Sequence, residues 1–428
     1  MVKIDLIKRL SIKPLSDSAL HVLLGSALRV LAMLGRYGLL ALLVMSASSQ
    51  TVQVFGMCLA LASLSIYFVS FDLYIVTSRQ TLYSELYFIA LSNQLVASMI
   101  LALIMAIVLY WIPVVALNSD IVVLLGFIIV SDFISNELYR MLVYLQKIML
   151  ANIVIFFRLG FWCFCAMAYM HFSKDETGLL EILSLWLASS LLSCLLGAYG
   201  TWAVWRRFKI SVSWPYFRSA FPNNVVIFIS SVSVLVLTTM DRLFLDAFEN
   251  DDFGAAYIFY ATSTSAIVTV IYTGLVAPFY SKFTNPDSSV SEKLEANRVF
   301  ASYLVCALLG WFGILILIMP YVVAFLDKEY LLVYSYVFWF FVLSTFLYGI
   351  SLIPNMILFS LKRDRLNAVG AMSGVVCFLI CIAFCIPSFG EIGLLFGVLA
   401  GWSAMLIFKS WFAIKCILDH SNVQRSIA

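Results

Sequence analysis

Charge is what this 428-residue chain has least of, since Asp, Glu, Lys and Arg together make up only 11% of it. An ordinary soluble domain carries roughly 25%. Histidine is scarcer still: His21, His171 and His420 are the only three, and no two stand at ligand spacing, which removes the helical two-histidine metal motifs. There is no Gly-rich phosphate loop, no Asp-x-Asp pair and no polar stretch long enough to fold as a soluble domain, so the chain alone has no ATP-driven machinery. The nine cysteines fall inside or at the ends of apolar stretches without metal-ligand spacing, and are expected to act as small buried hydrophobes rather than disulfides. Cys377, Cys381 and Cys385 recur every fourth residue and read as a packing stripe.

Hydrophobic residues fill the space these absences leave, at 63% of the chain with a mean hydropathy of +1.03. Such values belong to an all-α, polytopic membrane protein. Apolar runs recur near 20–45, 52–71, 86–111, 121–142, 149–171 and 179–204, then near 223–246, 254–280, 299–325, 331–359, 366–387 and 391–416. These make twelve transmembrane helices. The first run follows a polar leader, is too long for a signal-peptide core and has no small-residue cleavage site after it, so it is expected to stay as a span. With both termini cytoplasmic, twenty basic residues fall on the inner side and only Lys174 and Lys328 on the outer side, as the positive-inside rule requires.

The basic, aromatic connector WRRFKISVSWPYFRSAFPNN reads either as an interfacial segment on anionic lipid headgroups or as a plain inner loop. It divides the chain into an amino-terminal lobe at 1–204, a linker at 205–222 and a carboxy-terminal lobe at 223–428. The halves echo each other. Phe55-Gly56 opens the second span and Phe253-Gly254 the eighth, and those spans lead to Ser78-Arg79 and Ser281-Lys282.

Charges inside the spans carry the functional reading. Arg29 and Arg36 stand seven residues apart in ALHVLLGSALRVLAMLGRYGLLALLVM, on one helix face with Gly25 and Ser26. Planar bidentate donors suit phosphate oxygens, so the pair is a candidate for binding an anionic headgroup; the alternative is that each neutralises a buried acid. Asp132 and Arg158 lie midway along neighbouring antiparallel spans, where a structural ion pair is the favoured reading and an ion-coupling switch the other. Asp241 and Arg242 lie near the outer end of the seventh span, from which Arg242 is free to snorkel outward. Asp72 ends the second span on the inner side, and DAFENDDFG reads as a solvated acidic turn.

The run MDRLFLDAFENDDFGAAYIFYATSTSAIVTVIYTGLVAPFYSKF resembles the polysaccharide-type transporters of the multidrug/oligosaccharidyl-lipid/polysaccharide exporter superfamily: an Asp-Arg closes one span, Gly254 and Tyr257 open the next, and Pro278 lies near its inner end. Arg29, Arg36, Phe55-Gly56, FDLYIVTSR and the closing PSFGEIGLLFGVLAGW are similar to the same family, whereas SASSQTVQVFG departs from its usual first outer loop. The resemblance implies two six-helix lobes around a cationic central cavity and ion-coupled alternating access in a bacterial inner membrane. It further implies a flippase, not an enzyme and without cofactor, that moves a polyprenyl-diphosphate-linked oligosaccharide of the O-antigen repeat-unit type to the periplasmic leaflet. The expected site residues are then Arg29, Arg36 and Arg158 for substrate, with Asp132, Asp241, Arg242 and Asp72 for coupling or pairing. Its partners would be that lipid-linked oligosaccharide, membrane lipids and other polysaccharide-assembly proteins, with no nucleic acid. The alternatives are a multispan polymerase or ligase of the same pathway, disfavoured because all outer loops are short, and a small-molecule exporter of the same superfamily.

Overall fold

The computed structural model describes residues 17–71, 77, 84–111, 118–173, 178–276, 279, 283 and 289–427. Among them the structure is helical, with no strand. We label the long helices α1 (Asp17–Ser46), α2 (Ser49–Ser70), α3 (Glu85–Trp111), α4 (Ser119–Tyr144), α5 (Ile148–Phe172) and α6 (Leu179–Trp205). The second set is α7 (Trp214–Thr239), α8 (Asp251–Val270), α9 (Val290–Leu326), α10 (Ser335–Ser360), α11 (Asp364–Phe389) and α12 (Glu391–Ile427). Each matches one predicted span.

Among the described residues, eleven of these helices are long and apolar enough to cross a membrane. The twelfth, α8, continues through a π-helical segment at Ile271–Val276. Its residues Phe253 to Ala261 are all buried, and it carries Thr262, Ser263, Thr264 and Ser265 in sequence. Several helices run past the predicted boundaries. α9 starts at Val290 under a capping box, in which Ser289 and Glu292 satisfy each other's backbone N–H groups. α7 starts at Trp214 behind a Ser213 cap, so the second half of the linker is helical.

Within the first set α1 packs on α5, α4 on α6 and α2 on α4; within the second α11 packs on α12, α10 on α12 and α7 on α11. The two sets meet where α1 and α2 cross α8 and α2 crosses α7. That crossing depends on the paired Phe-Gly motifs. A Cβ on Gly56 would sit 2.3 Å from Ile258 Cδ1, and one on Gly254 would sit 1.9 Å from Gln53 Oε1. Ser49 Oγ donates to Asp252 at the same end.

All nine cysteines are free. The expectation that they are buried holds only for Cys58 and Cys163: Cys306 is exposed and the other six are half-buried. The stripe brings Cys381 Sγ within 3.6 Å of Cys385 Sγ.

Candidate functional site

The site begins with an irregularity in α5. Phe157–Phe161 forms a single π turn, which adds one residue to the helix and releases carbonyls from its ladder. Two of these carbonyls find donors on neighbouring helices. Arg36 Nε donates to Leu159 O at 2.9 Å, and Ser189 Oγ to Phe157 O at 2.5 Å. α1 can come this close because Gly160 faces it, and a Cβ there would lie 2.4 Å from Ala32 Cα.

As the seven-residue spacing predicts, Arg29 and Arg36 both point toward α5. Their surroundings nonetheless differ. Arg29 Nε donates to Asn152 Oδ1 at 3.2 Å and its Nη2 to Tyr139 Oη at 3.1 Å. Gly25 makes room for that asparagine. Among the described residues, neither arginine is in an ion pair with an acid. Replacing Asn152 with Leu strands the Arg29 Nε and is expected to lower stability by about 1–3 kcal/mol, measurable as a lower unfolding temperature in detergent.

Arg36 faces a cavity of about 160 Å³ whose walls include Tyr37, Phe55, Trp162, Thr262, Ser265 and Arg242. Five elements supply them: α1, α2, α5, α8 and the segment after α7. At roughly 30 Å³ per water, the space amounts to about five waters. Tyr37 Oη donates to Thr262 O at 3.0 Å, tying α1 to α8 across it.

The position of Arg242 corrects the sequence reading, in which it snorkels outward. At Thr239 the backbone departs from α geometry (φ −140°), and Met240–Phe248 winds as a 3₁₀ helix. The tighter winding turns successive side chains by about 120°. Asp241 is thereby buried against α8, where Tyr257 Oη donates to its Oδ2 at 2.6 Å, while Arg242 reaches the cavity wall beside Arg36's helix.

Asp132 and Arg158 are also not placed as expected. Asp132 is buried, but the two do not form an ion pair. Ser190 Oγ donates to Asp132 Oδ1, and Arg158 Nη1 donates to Asn136 Oδ1 at 2.5 Å. α6 presents Ser189, Ser190 and Ser193 along one face, so hydroxyls fill the role given to the ion pair; Ser193 donates to Val154 O at 2.7 Å. Arg158 does not line the cavity. Asp72 and Pro278 lie outside the described residues.

Sequence reasoning missed three things here: the inward Arg242, the wall residues Tyr37 and Ser265, and Lys409. The sequence reading counts that lysine with the inner side, yet it is buried within α12 and donates to Asn355 Oδ1 at 2.8 Å. The run of four hydroxyl residues from Thr262 to Ser265, two of which line the cavity, is a signal that could have found this wall. The acidic turn borders an open basin of about 690 Å³ with Ser49 and Glu391. Among the described residues no group of three His, Cys, Asp or Glu is placed to hold a metal ion.

No family model matches the sequence, and no curated protein matches it either. Solved structures do. The inward-facing conformation of a multidrug resistance MATE family transporter of the MOP superfamily is similar with a TM-score of 0.64 at 13% identity, covering 94% of this chain and 100% of that one. The MATE multidrug transporter DinF-BH gives 0.59 at 14%, covering 92% and 95%. An outward-facing conformation of a MATE family transporter gives 0.53 at 14%, covering 94% and 95%. The chain shares their fold.

Proposed function

We propose that this chain is an alternating-access carrier for an anionic, lipid-linked substrate: a flippase that turns a polyprenyl-diphosphate-linked oligosaccharide from the cytoplasmic to the periplasmic leaflet of a bacterial inner membrane. One observation carries the reading. Arg36 on α1 and Arg242 after α7, the first span of each half, line a single interior cavity, and among the described residues neither is in an ion pair with a carboxylate. Two guanidiniums at membrane depth without such a partner are costly unless an anion visits them. A diphosphate offers planar bidentate acceptors to both. The cavity as it stands takes a headgroup and little more, so the lobes must part at the α1–α8 and α2–α8 contacts to admit the attached sugars. The fold is one for which inward-facing and outward-facing conformations of a transporter are both known, which supports such a motion.

Coupling falls to a buried carboxylate of the first half. Asp132 holds a hydroxyl donor in place of a cation, and we assign it as the group that exchanges a proton or sodium ion. Arg29 and Arg158, both held by neutral partners, position helices around the cavity. A small-molecule exporter is the second reading, favoured by the multidrug transporters that share the fold; two cavity arginines repel the cationic compounds such a carrier would take.

The test is a flipping assay in proteoliposomes with undecaprenyl-diphosphate-linked N-acetylglucosamine. Protein-dependent translocation that is lost on collapsing the ion gradient supports the proposal. Absence of translocation together with export of cationic dyes overturns it in favour of the exporter.

A further inference from the structure

Among the described residues, two buried polar atoms of the 3₁₀ segment have no hydrogen-bond partner: Asp241 Oδ1, an acceptor, and Arg242 Nε, a donor. They come from consecutive residues at a boundary between two cavities. Arg242 and Ser265 line the central cavity and also a smaller one of about 40 Å³, which reaches between α7, α8, α10 and α12 and includes Asp241, Thr238, Ser344 and Thr345. Thr238 and Ser344 donate to carbonyls of their own helices, at 2.9 Å to Leu235 O and 2.7 Å to Phe340 O, which leaves their oxygens free to accept.

The chemistry of the missing partner follows from this mixed demand. A bare cation would satisfy Asp241 and leave Arg242 bare, and a simple anion would do the reverse. A hydroxyl both donates and accepts, so it meets both needs. At roughly 30 Å³ per water, the side cavity has room for about one such group. It is the size of an exocyclic arm of a sugar whose ring enters the central space when the lobes part.

We propose that this side cavity is a saccharide subsite, in which Asp241 accepts from, and Arg242 donates to, a hydroxyl arm of the sugar nearest the diphosphate. The inference rests on the anionic-headgroup reading and adds to it where the first sugar lies and which residues select it. With the headgroup at Arg36 and Arg242, the first sugar extends toward the carboxy-terminal half. Ser344 and Thr345 then discriminate between sugars, since neither lines the central cavity.

Binding to the full chain in nanodiscs tests this with undecaprenyl diphosphate as one probe and the same lipid bearing one glucose, galactose or N-acetylglucosamine as the others. The wild-type chain is expected to bind at least one sugar-bearing lipid about tenfold tighter than the bare diphosphate, since hydrogen bonds to charged groups are the stronger kind. A Ser344→Ala, Thr345→Val double variant is expected to lose most of that preference while its affinity for bare diphosphate stays within about twofold, and Asp241→Ala is expected to abolish the preference. No preference for any of the three sugars, or a preference that survives both variants, overturns the subsite. If Asp241→Ala changes only the sodium or pH dependence of binding, the unpartnered oxygen serves a cation and the proposal is likewise overturned. Failure of the wild type to bind bare diphosphate, or binding unaffected by Arg36→Ala, would instead overturn the headgroup reading beneath it.

Discussion

Replacing Arg36 and Arg242 together with alanine is expected to weaken binding of undecaprenyl diphosphate on the order of a thousandfold, and each single replacement about ten- to a hundredfold. A charge-assisted hydrogen bond contributes about 1.5–3 kcal/mol, and here two guanidiniums from different halves meet one ligand. Arg36→Lys separates charge from geometry. It keeps the positive end but loses both the planar fork and the Nε donor to Leu159 O, so affinity should fall between wild type and alanine. Equilibrium binding in nanodiscs, with Arg29→Lys as a variant outside the cavity, measures all of these. Arg29→Lys should leave affinity nearly unchanged, because that side chain is committed to Asn152 and Tyr139. Equal losses at Arg29 and Arg36 would mean that the shared helix face, and not the cavity wall, determines binding.

The second large effect concerns Gly160. Leucine there places a branched side chain where even a Cβ would lie 2.4 Å from Ala32 Cα and 2.6 Å from Ala32 Cβ. The obstacle is backbone, which cannot rotate away as a flexible side chain would. α1 must therefore move off the π turn, and the Arg36 to Leu159 hydrogen bond breaks with it. Overpacking of this kind costs about 1–3 kcal/mol and occasionally more, to which a lost hydrogen bond to a charged group adds about 1.5–3 kcal/mol. Gly160→Leu should unfold at a clearly lower temperature in detergent and lose diphosphate binding even where it still inserts. Gly160→Ala should show the same changes in smaller measure. Normal binding by a well-folded Gly160→Leu protein would show that the π turn does not set the position of Arg36.

The helices themselves were legible from sequence, because a lipid-facing helix must be apolar along most of its length and polar connectors mark where it ends. α8 shows the limit of that reasoning. Phe253 to Ala261 are enclosed by protein, and apolarity alone does not tell whether lipid or protein surrounds a helix. The common direction of Arg29 and Arg36 was legible because helical geometry is local. Their different fates were not, since Asn152, Tyr139 and Leu159 lie more than a hundred positions away in sequence. Arg242 was misread because an α-helical register was assumed through Met240–Phe248, where the 3₁₀ winding rotates it inward. The expected Asp132–Arg158 ion pair had the right depth and the wrong partners: Ser190 and Asn136 were closer, and nothing in the linear pattern ranks a serine above an arginine as the neighbour of a buried acid.

The proposed function depends on guanidiniums from the first span of each half receiving one anion between them. A cryo-electron microscopy structure of the full chain in nanodiscs with undecaprenyl diphosphate tests it most directly. Headgroup density is expected in the cavity between Arg36 and Arg242, within hydrogen-bonding distance of both. Headgroup density elsewhere, with those two arginines closed onto carboxylates, would contradict it.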